Sequence, residues 1–107
     1  MAKVVSQETV RELLGARVAV LLVRSPGCSH CEAFKPKFEA EARRQGEGFW
    51  EVFSAEARTL LPALKVDGVP TTFVLSRGAV QATTLGDVSA DELRATVSRG
   101  INRAVYS

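Results

Sequence analysis

Six apolar residues in a row, Val18-Ala19-Val20-Leu21-Leu22-Val23, followed by Arg24 and the turn Ser25-Pro26-Gly27, constrain this chain more than any other stretch. A strand apolar on both faces belongs in the middle of a sheet that is covered on both sides, the usual setting of parallel strands. Parallel neighbours need a crossover connection, usually a helix. A helical pattern does begin at once: Cys31, Phe34, Phe38 and Ala42 recur at helical spacing, with Glu32, Lys35, Lys37, Glu39 and Glu41 on the other side. Between strand and helix stands Cys28-Ser29-His30-Cys31, which holds both cysteines and the only histidine of the chain.

That arrangement suits dithiol–disulfide chemistry. Wound as a first helical turn, the i and i+3 side chains share a face, so the two sulfurs can close a small ring. The first cysteine lies where unpaired N–H groups and the positive end of the helix dipole favour a thiolate. A protonated His30 adds to this effect, moving the thiol from a free value near ~8.5 toward the roughly 3.5–7.5 of activated cysteines. Cys28 is therefore the expected nucleophile and Cys31 the resolving thiol. Inert buried cysteines fit the helix start less well. A metal reading fares no better within one chain. Zinc takes four ligands, and two thiols and one histidine within four residues stand too close together to share an ion. A zinc or iron–sulfur site would need a second copy of the chain, and Glu32 after Cys31 breaks the haem-attachment pattern. The expectation is no metal.

The remaining elements follow from similar signals. Ser6 is the expected N-cap of a first helix ending at Leu14 and Gly15, with Val10, Leu13 and Leu14 on one face. The cysteine helix is expected to run from Cys28 to about Arg44, kinked by Pro36 and stopped by Gln45-Gly46-Glu47-Gly48. Phe49 to Ser54 reads as a strand, and Glu56 to Leu64 as a short helix interrupted by Pro62. Gly68-Val69-Pro70 leads into a strand over 71–76, which returns through Arg77-Gly78 as an antiparallel strand over 79–84. Ser89 and Glu92 form a capping box for a last helix to about Ala104, with Leu93, Val97, Ile101 and Val105 on its buried side. Phe34, Phe38, Phe49, Trp50, Phe53 and Phe73 are read as core. The result is one α/β domain over 1–107, a mixed sheet of about four strands with helices on both faces.

Composition removes several function classes. At 107 residues, 46% apolar and 24% charged, the chain is an ordinary soluble domain. A net charge of +2, with Arg43-Arg44 the only adjacent basic pair, makes no case for nucleic acid. No apolar run approaches the ~20 residues of a membrane span. Met1 to Glu8 lacks the apolar core of a signal peptide, which points to a cytoplasmic protein. There two cysteines are more often catalytic than a structural staple.

Taken with its prolines and glycines, the sequence resembles the thioredoxin family over nearly its whole length. Pro36 stands five residues after Cys31, where the family has its helix proline. Val69-Pro70-Thr71 resembles the family's cis-proline loop, and Pro62, Gly78 and Gly86 fall at matching offsets. The resemblance implies the thioredoxin fold and catalysis of thiol–disulfide exchange on disulfide-containing proteins. The redox-active Cys28–Cys31 pair would serve without a cofactor, drawing electrons from a reductase or small thiol. It implies that Pro70 faces the cysteines and turns the backbone of Val69 toward an extended substrate segment, a strand-addition mode. Gly27 and Gly86 would keep the rim low. The expected protein is a monomer.

Three departures matter. Thioredoxin proper has Trp-Cys-Gly-Pro-Cys; here Gly27 replaces the tryptophan and Ser29-His30 the central pair. Histidine before the second cysteine resembles the oxidase and isomerase branches, where it stabilises the reduced form and makes the disulfide more oxidising. Leu22 occupies the place of the family's buried acid, which takes the proton of the resolving cysteine. A gap-free count back from Pro70 puts Glu51 opposite that place, where thioredoxins carry lysine. Glu51 is accordingly read either as a relocated proton relay or as a solvated residue without a role. A disulfide reductase is the leading reading; a disulfide oxidase or isomerase, and a non-catalytic binding module of the same fold, are the alternatives.

Overall fold

The computed structural model describes residues 2–46 and 48–106. Its elements run β1 (Lys3–Val4), α1 (Val10–Gly15), β2 (Ala19–Arg24), α2 (Ser29–Gln45), β3 (Phe49–Phe53), α3 (Ser54–Leu60), β4 (Thr71–Ser76), β5 (Ala79–Leu85) and α4 (Ala90–Tyr106). One five-stranded sheet has the order β1-β3-β2-β4-β5. β1, β3 and β2 run parallel to one another, β4 runs antiparallel to β2 and β5 antiparallel to β4, so β2 is central as its double apolar face requires. This is the thioredoxin fold, a mixed sheet between helices.

The period-2 alternation of the strands sorts the core into two layers. Leu21, Val23, Trp50, Val52, Phe73 and Leu75 meet Leu13 of α1 and Ala57 of α3 on one face. Val20, Leu22, Phe49 and Val74 meet Phe34 and Phe38 of α2 and Leu93 and Val97 of α4 on the other. Phe34 and Phe38 are fully buried, and the Phe38 ring lies 5.2 Å from that of Phe49. α4 comes so close to the sheet that a Cβ on Gly100 would stand 2.5 Å from Val74 Cβ. The β4–β5 turn places Arg77 and Gly78 at φ 48° and 85°, the two positive values that a tight two-residue hairpin needs.

The expected mixed sheet is present, with a short fifth strand, β1, whose two residues are too few to show any periodicity. Other expectations are corrected. The first helix begins at Val10, not after Ser6. Residues 6–9 form a turn instead, in which the Ser6 carbonyl accepts from Thr9 N and Val10 N. Thr9 Oγ1 donates to the Val4 carbonyl and accepts from Ser6 N, so that hydroxyl ties the turn to β1 rather than capping the helix. α3 starts two residues early and ends at Leu60, before Pro62. Ser89 Oγ accepts from Glu92 N at 3.1 Å, as a capping box requires. Val105 is exposed, and so is Phe53, whose ring is covered by the Arg24 guanidinium at 4.8 Å instead of by the core. The stop signal after α2 includes Glu47, which lies outside the described residues.

Candidate active site

β2 delivers the chain to the end of the sheet, and the turn 25–27 redirects it into α2. Gly27 sits at φ 73°, a conformation that favours glycine, and Ser25 Oγ lies 2.9 Å from Ser54 Oγ, which ties the turn to the start of α3. Cys28 is the N-cap of α2: it is extended, and its sulfur accepts from Cys31 N at 3.2 Å. The sulfur thus occupies the place of a capping oxygen, and the amide that holds it there also favours a thiolate. Cys28 and Cys31 form a disulfide with Cα atoms 5.2 Å apart. Cys28 is half-buried and Cys31 fully buried, so only the first sulfur is open to a partner.

The Val69–Pro70 peptide is cis. Its loop is pinned by Thr71 Oγ1 donating to the Gly68 carbonyl at 2.6 Å, and by Gly86 N donating to the Pro70 carbonyl at 2.7 Å. The loop and the end of β5 enclose a groove of about 560 Å³ lined by His30, Gly68, Val69, Leu85, Gly86 and Asp87. The structure thus brings together His30, Val69 and Gly86, singled out from the sequence. Gly27, exposed in the turn, does not line the groove. A depression of similar size, about 590 Å³, lies between residues 5–8 and α3, with no cysteine or histidine in its lining. Leu85 and Asp87 join the groove only through the structure; their one mark in the sequence is that they flank Gly86.

Glu51 stands directly across from Leu22 in the parallel β2–β3 register, so the sequence count does not slip. Equal register positions share a face, here the one that α2 covers. Glu51 is only 9% exposed, which overturns its reading as a solvated residue. Its Oε1 accepts from Arg24 at 2.9 Å and from Lys35 of α2 at 3.5 Å. Neither cation was foreseen. A second buried carboxylate, Glu41, accepts from Arg44 and Gln45 of its own helix and ties α2 to α4 through Arg94. Hydrogen bonding from Arg44, reinforced by Gln45 and Arg94 and opposed by burial, holds the Glu41 carboxyl below the usual glutamate range. Among the described residues, no three His, Cys, Asp or Glu side chains group to hold a metal ion, and no helix is long and apolar enough to cross a membrane.

Comparison with known proteins places this geometry. The Thioredoxin family matches residues 2–99. No curated relative matches the chain by sequence search. Among solved structures, thioredoxin f from spinach chloroplast in its long form is 24% identical, covering 94% of this chain and 86% of that one, with a TM-score of 0.75. A mutant thioredoxin from Halobacterium salinarum is 21% identical, covering 92% and 89%, with a TM-score of 0.78. Oxidised mitochondrial thioredoxin 3 from Saccharomyces cerevisiae is 14% identical, covering 91% and 93%, with a TM-score of 0.77. With a C-x-x-C pair closed at the head of α2 and a family match across residues 2–99, this chain belongs to the thioredoxin family and is a thiol–disulfide oxidoreductase.

Proposed function

We propose that the protein reduces disulfides in other proteins, with Cys28 as nucleophile and Cys31 as resolving thiol. The observation that carries this reading is the unequal exposure of the two sulfurs beside the groove. In the reduced protein the Cys28 thiolate attacks one substrate sulfur. A new S–S bond forms, the substrate disulfide breaks, and the released substrate thiolate takes a proton. Cys31 then loses its proton, and its thiolate attacks Cys28 Sγ, releasing the second substrate thiol and closing the Cys28–Cys31 disulfide. Two electrons and two protons pass to the substrate. A reductase or a small thiol restores the dithiol, and no further cofactor takes part. The cis-Pro70 loop presents the backbone of Val69 to an extended substrate segment, and Gly86 leaves room for it. Gly27 keeps the approach to Cys28 open. The protein acts as a monomer in the cytoplasm.

Glu51 serves as the proton relay for Cys31. Its support is a buried carboxylate on the sheet face under α2, held by Arg24 and Lys35 and beside the apolar Leu22. His30 beside the pair favours a second reading, in which the pair donates disulfides instead, since an imidazole N–H directed at the Cys28 sulfur stabilises the reduced form.

Insulin reduction with dithiothreitol tests the first reading. Wild type accelerates it, Cys28→Ser abolishes it, and Cys31→Ser accumulates a mixed disulfide through Cys28. No acceleration by wild type would sink the proposal. The reduction potential separates the two readings: a value near about −270 mV supports the reductase, and one toward about −120 mV supports the disulfide donor.

A further inference from the structure

The far wall of the groove is held by a side chain that belongs to neither the cysteine motif nor the proline loop. Lys37 lies on α2, six residues beyond Cys31, about 9 Å along the helix. Its Nζ donates to Asp87 Oδ1 at 2.9 Å and to the Val88 carbonyl at 3.1 Å. Asp87 lines the groove, directly after Leu85 and Gly86. Within the segment 85–88, Leu85 pairs with Thr71 at the end of β5, Gly86 N reaches the Pro70 carbonyl and Val88 packs on the core, while the Asp87 side chain is held by Lys37. The loop is therefore clamped from two sides, by the cis-proline loop and by the helix that carries the redox pair.

From this juxtaposition we infer that Lys37 and Asp87 are positioning residues for protein substrates. Their bond ties the Gly86–Asp87 side of the groove to the helix bearing Cys28, and hence sets the groove width that an extended polypeptide meets. The inference rests on the reading above that protein disulfides are the substrates. A small disulfide approaching Cys28 alone does not need the wall. A second carboxylate or amine at these positions restores the clamp only if the opposite charge is also supplied, because Lys37 offers donors alone and the ionised Asp87 acceptors alone.

The test compares wild type, Lys37→Met, Asp87→Asn, Lys37→Arg and the exchange Lys37→Asp with Asp87→Lys. KM and kcat are measured for insulin and, separately, for hydroxyethyl disulfide. Lys37→Met and Asp87→Asn are expected to raise KM for insulin by about three- to fivefold, the scale of a partly exposed ion pair. In Lys37→Met, a change outside the groove lining, kcat, the small-disulfide kinetics and the reduction potential should stay unchanged. Lys37→Arg should restore the insulin KM, and the charge exchange should restore it in part. Amide hydrogen exchange at residues 85–88 should quicken in Lys37→Met without change elsewhere in β4 and β5. Unchanged insulin KM in both single variants overturns the inference. So does an equal loss on both substrates with a shifted potential, which marks a merely structural bond. Failure of Lys37→Met to fold leaves Asp87→Asn, which removes the same charge pair, to decide. Wild type that turns over the small disulfide but not insulin overturns the functional reading, and the amide exchange then still decides whether the clamp exists.

Discussion

Glu51→Gln keeps the shape of the side chain and removes its charge from between two cations. Its carboxylate stands 2.9 Å from Arg24 and 3.5 Å from Lys35, with side-chain exposures of 12%, 14% and 33%. Breaking a fully buried pair from one side costs about 3–5 kcal/mol. Lys35 can turn to water, so only the Arg24 part carries most of that cost, and about 2 kcal/mol is expected. For a domain of this size that lowers Tm by about 8 to 12 °C.

The kinetic consequence is sharper than the thermal one. Dithionitrobenzoate reports the two chemical steps separately: Cys28 attack releases the first thionitrobenzoate, and Cys31 resolution releases the second. A lost general base slows a proton-transfer step by about 10²-fold. Glu51→Gln should therefore leave the first release intact and slow the second. The gap should narrow between about pH 7 and pH 10, as rising hydroxide takes over from the missing base. A second release that follows wild type across that range refutes the relay, even if the Tm falls as expected. An equal slowing of both phases at every pH also refutes it, because that pattern belongs to a distorted site.

Three further outcomes are expected. Glu41→Gln should cost about 1 kcal/mol in urea unfolding at neutral pH, given partners that are half exposed; because the folded carboxyl is held low, its contribution is present above the unfolded value and fades as pH falls through the lower folded one. A stability gap that persists undiminished at about pH 3 would contradict this. Gly100→Ala gains about 1 kcal/mol of helix propensity but forces a methyl to within 2.5 Å of Val74, an overpacking worth about 1–3 kcal/mol, so the clash should win and thermal unfolding should shift downward; a higher Tm would mean α4 can back away freely. Leu85→Asp, at a residue 59% exposed on the groove wall, should leave the Tm within a few degrees and raise the insulin KM severalfold, and an unchanged KM would remove Leu85 from the substrate surface.

What the sequence made legible tracks the strength of local signals. Val18–Val23 could only be a central strand, and Cys28 followed by a helical stripe could only open a helix. β1 was not legible, since Lys3–Val4 forms a strand solely because β3 offers Trp50 and Glu51 as partners. The first helix began late for a related reason: Ser6 and Thr9 are both sound caps in isolation, and the choice fell to the bond from Thr9 to Val4, which exists only once β1 is in place. Phe53 misled because an aromatic at a strand end reads as core, whereas here Arg24 stacks on it at the C-terminal ends of β2 and β3. The Lys37–Asp87 contact spans fifty residues and leaves no periodic trace.

Glu51 lies between these cases. In a parallel pair held in register, positions 22 and 51 are neighbours on one face, so an acid can pass from β2 to β3 without leaving the layer under α2. A count along the chain is enough to see that. The same period-2 rule puts Arg24 on the face of Leu22, two residues on, so an arginine closing an otherwise apolar strand was itself a sign that an acid waited beside it. A bare carboxylate in that layer would carry a large desolvation cost. Arg24 and Lys35 offset it, so with Leu22 apolar the acid of this strand pair sits on the neighbouring strand with its own counter-charges.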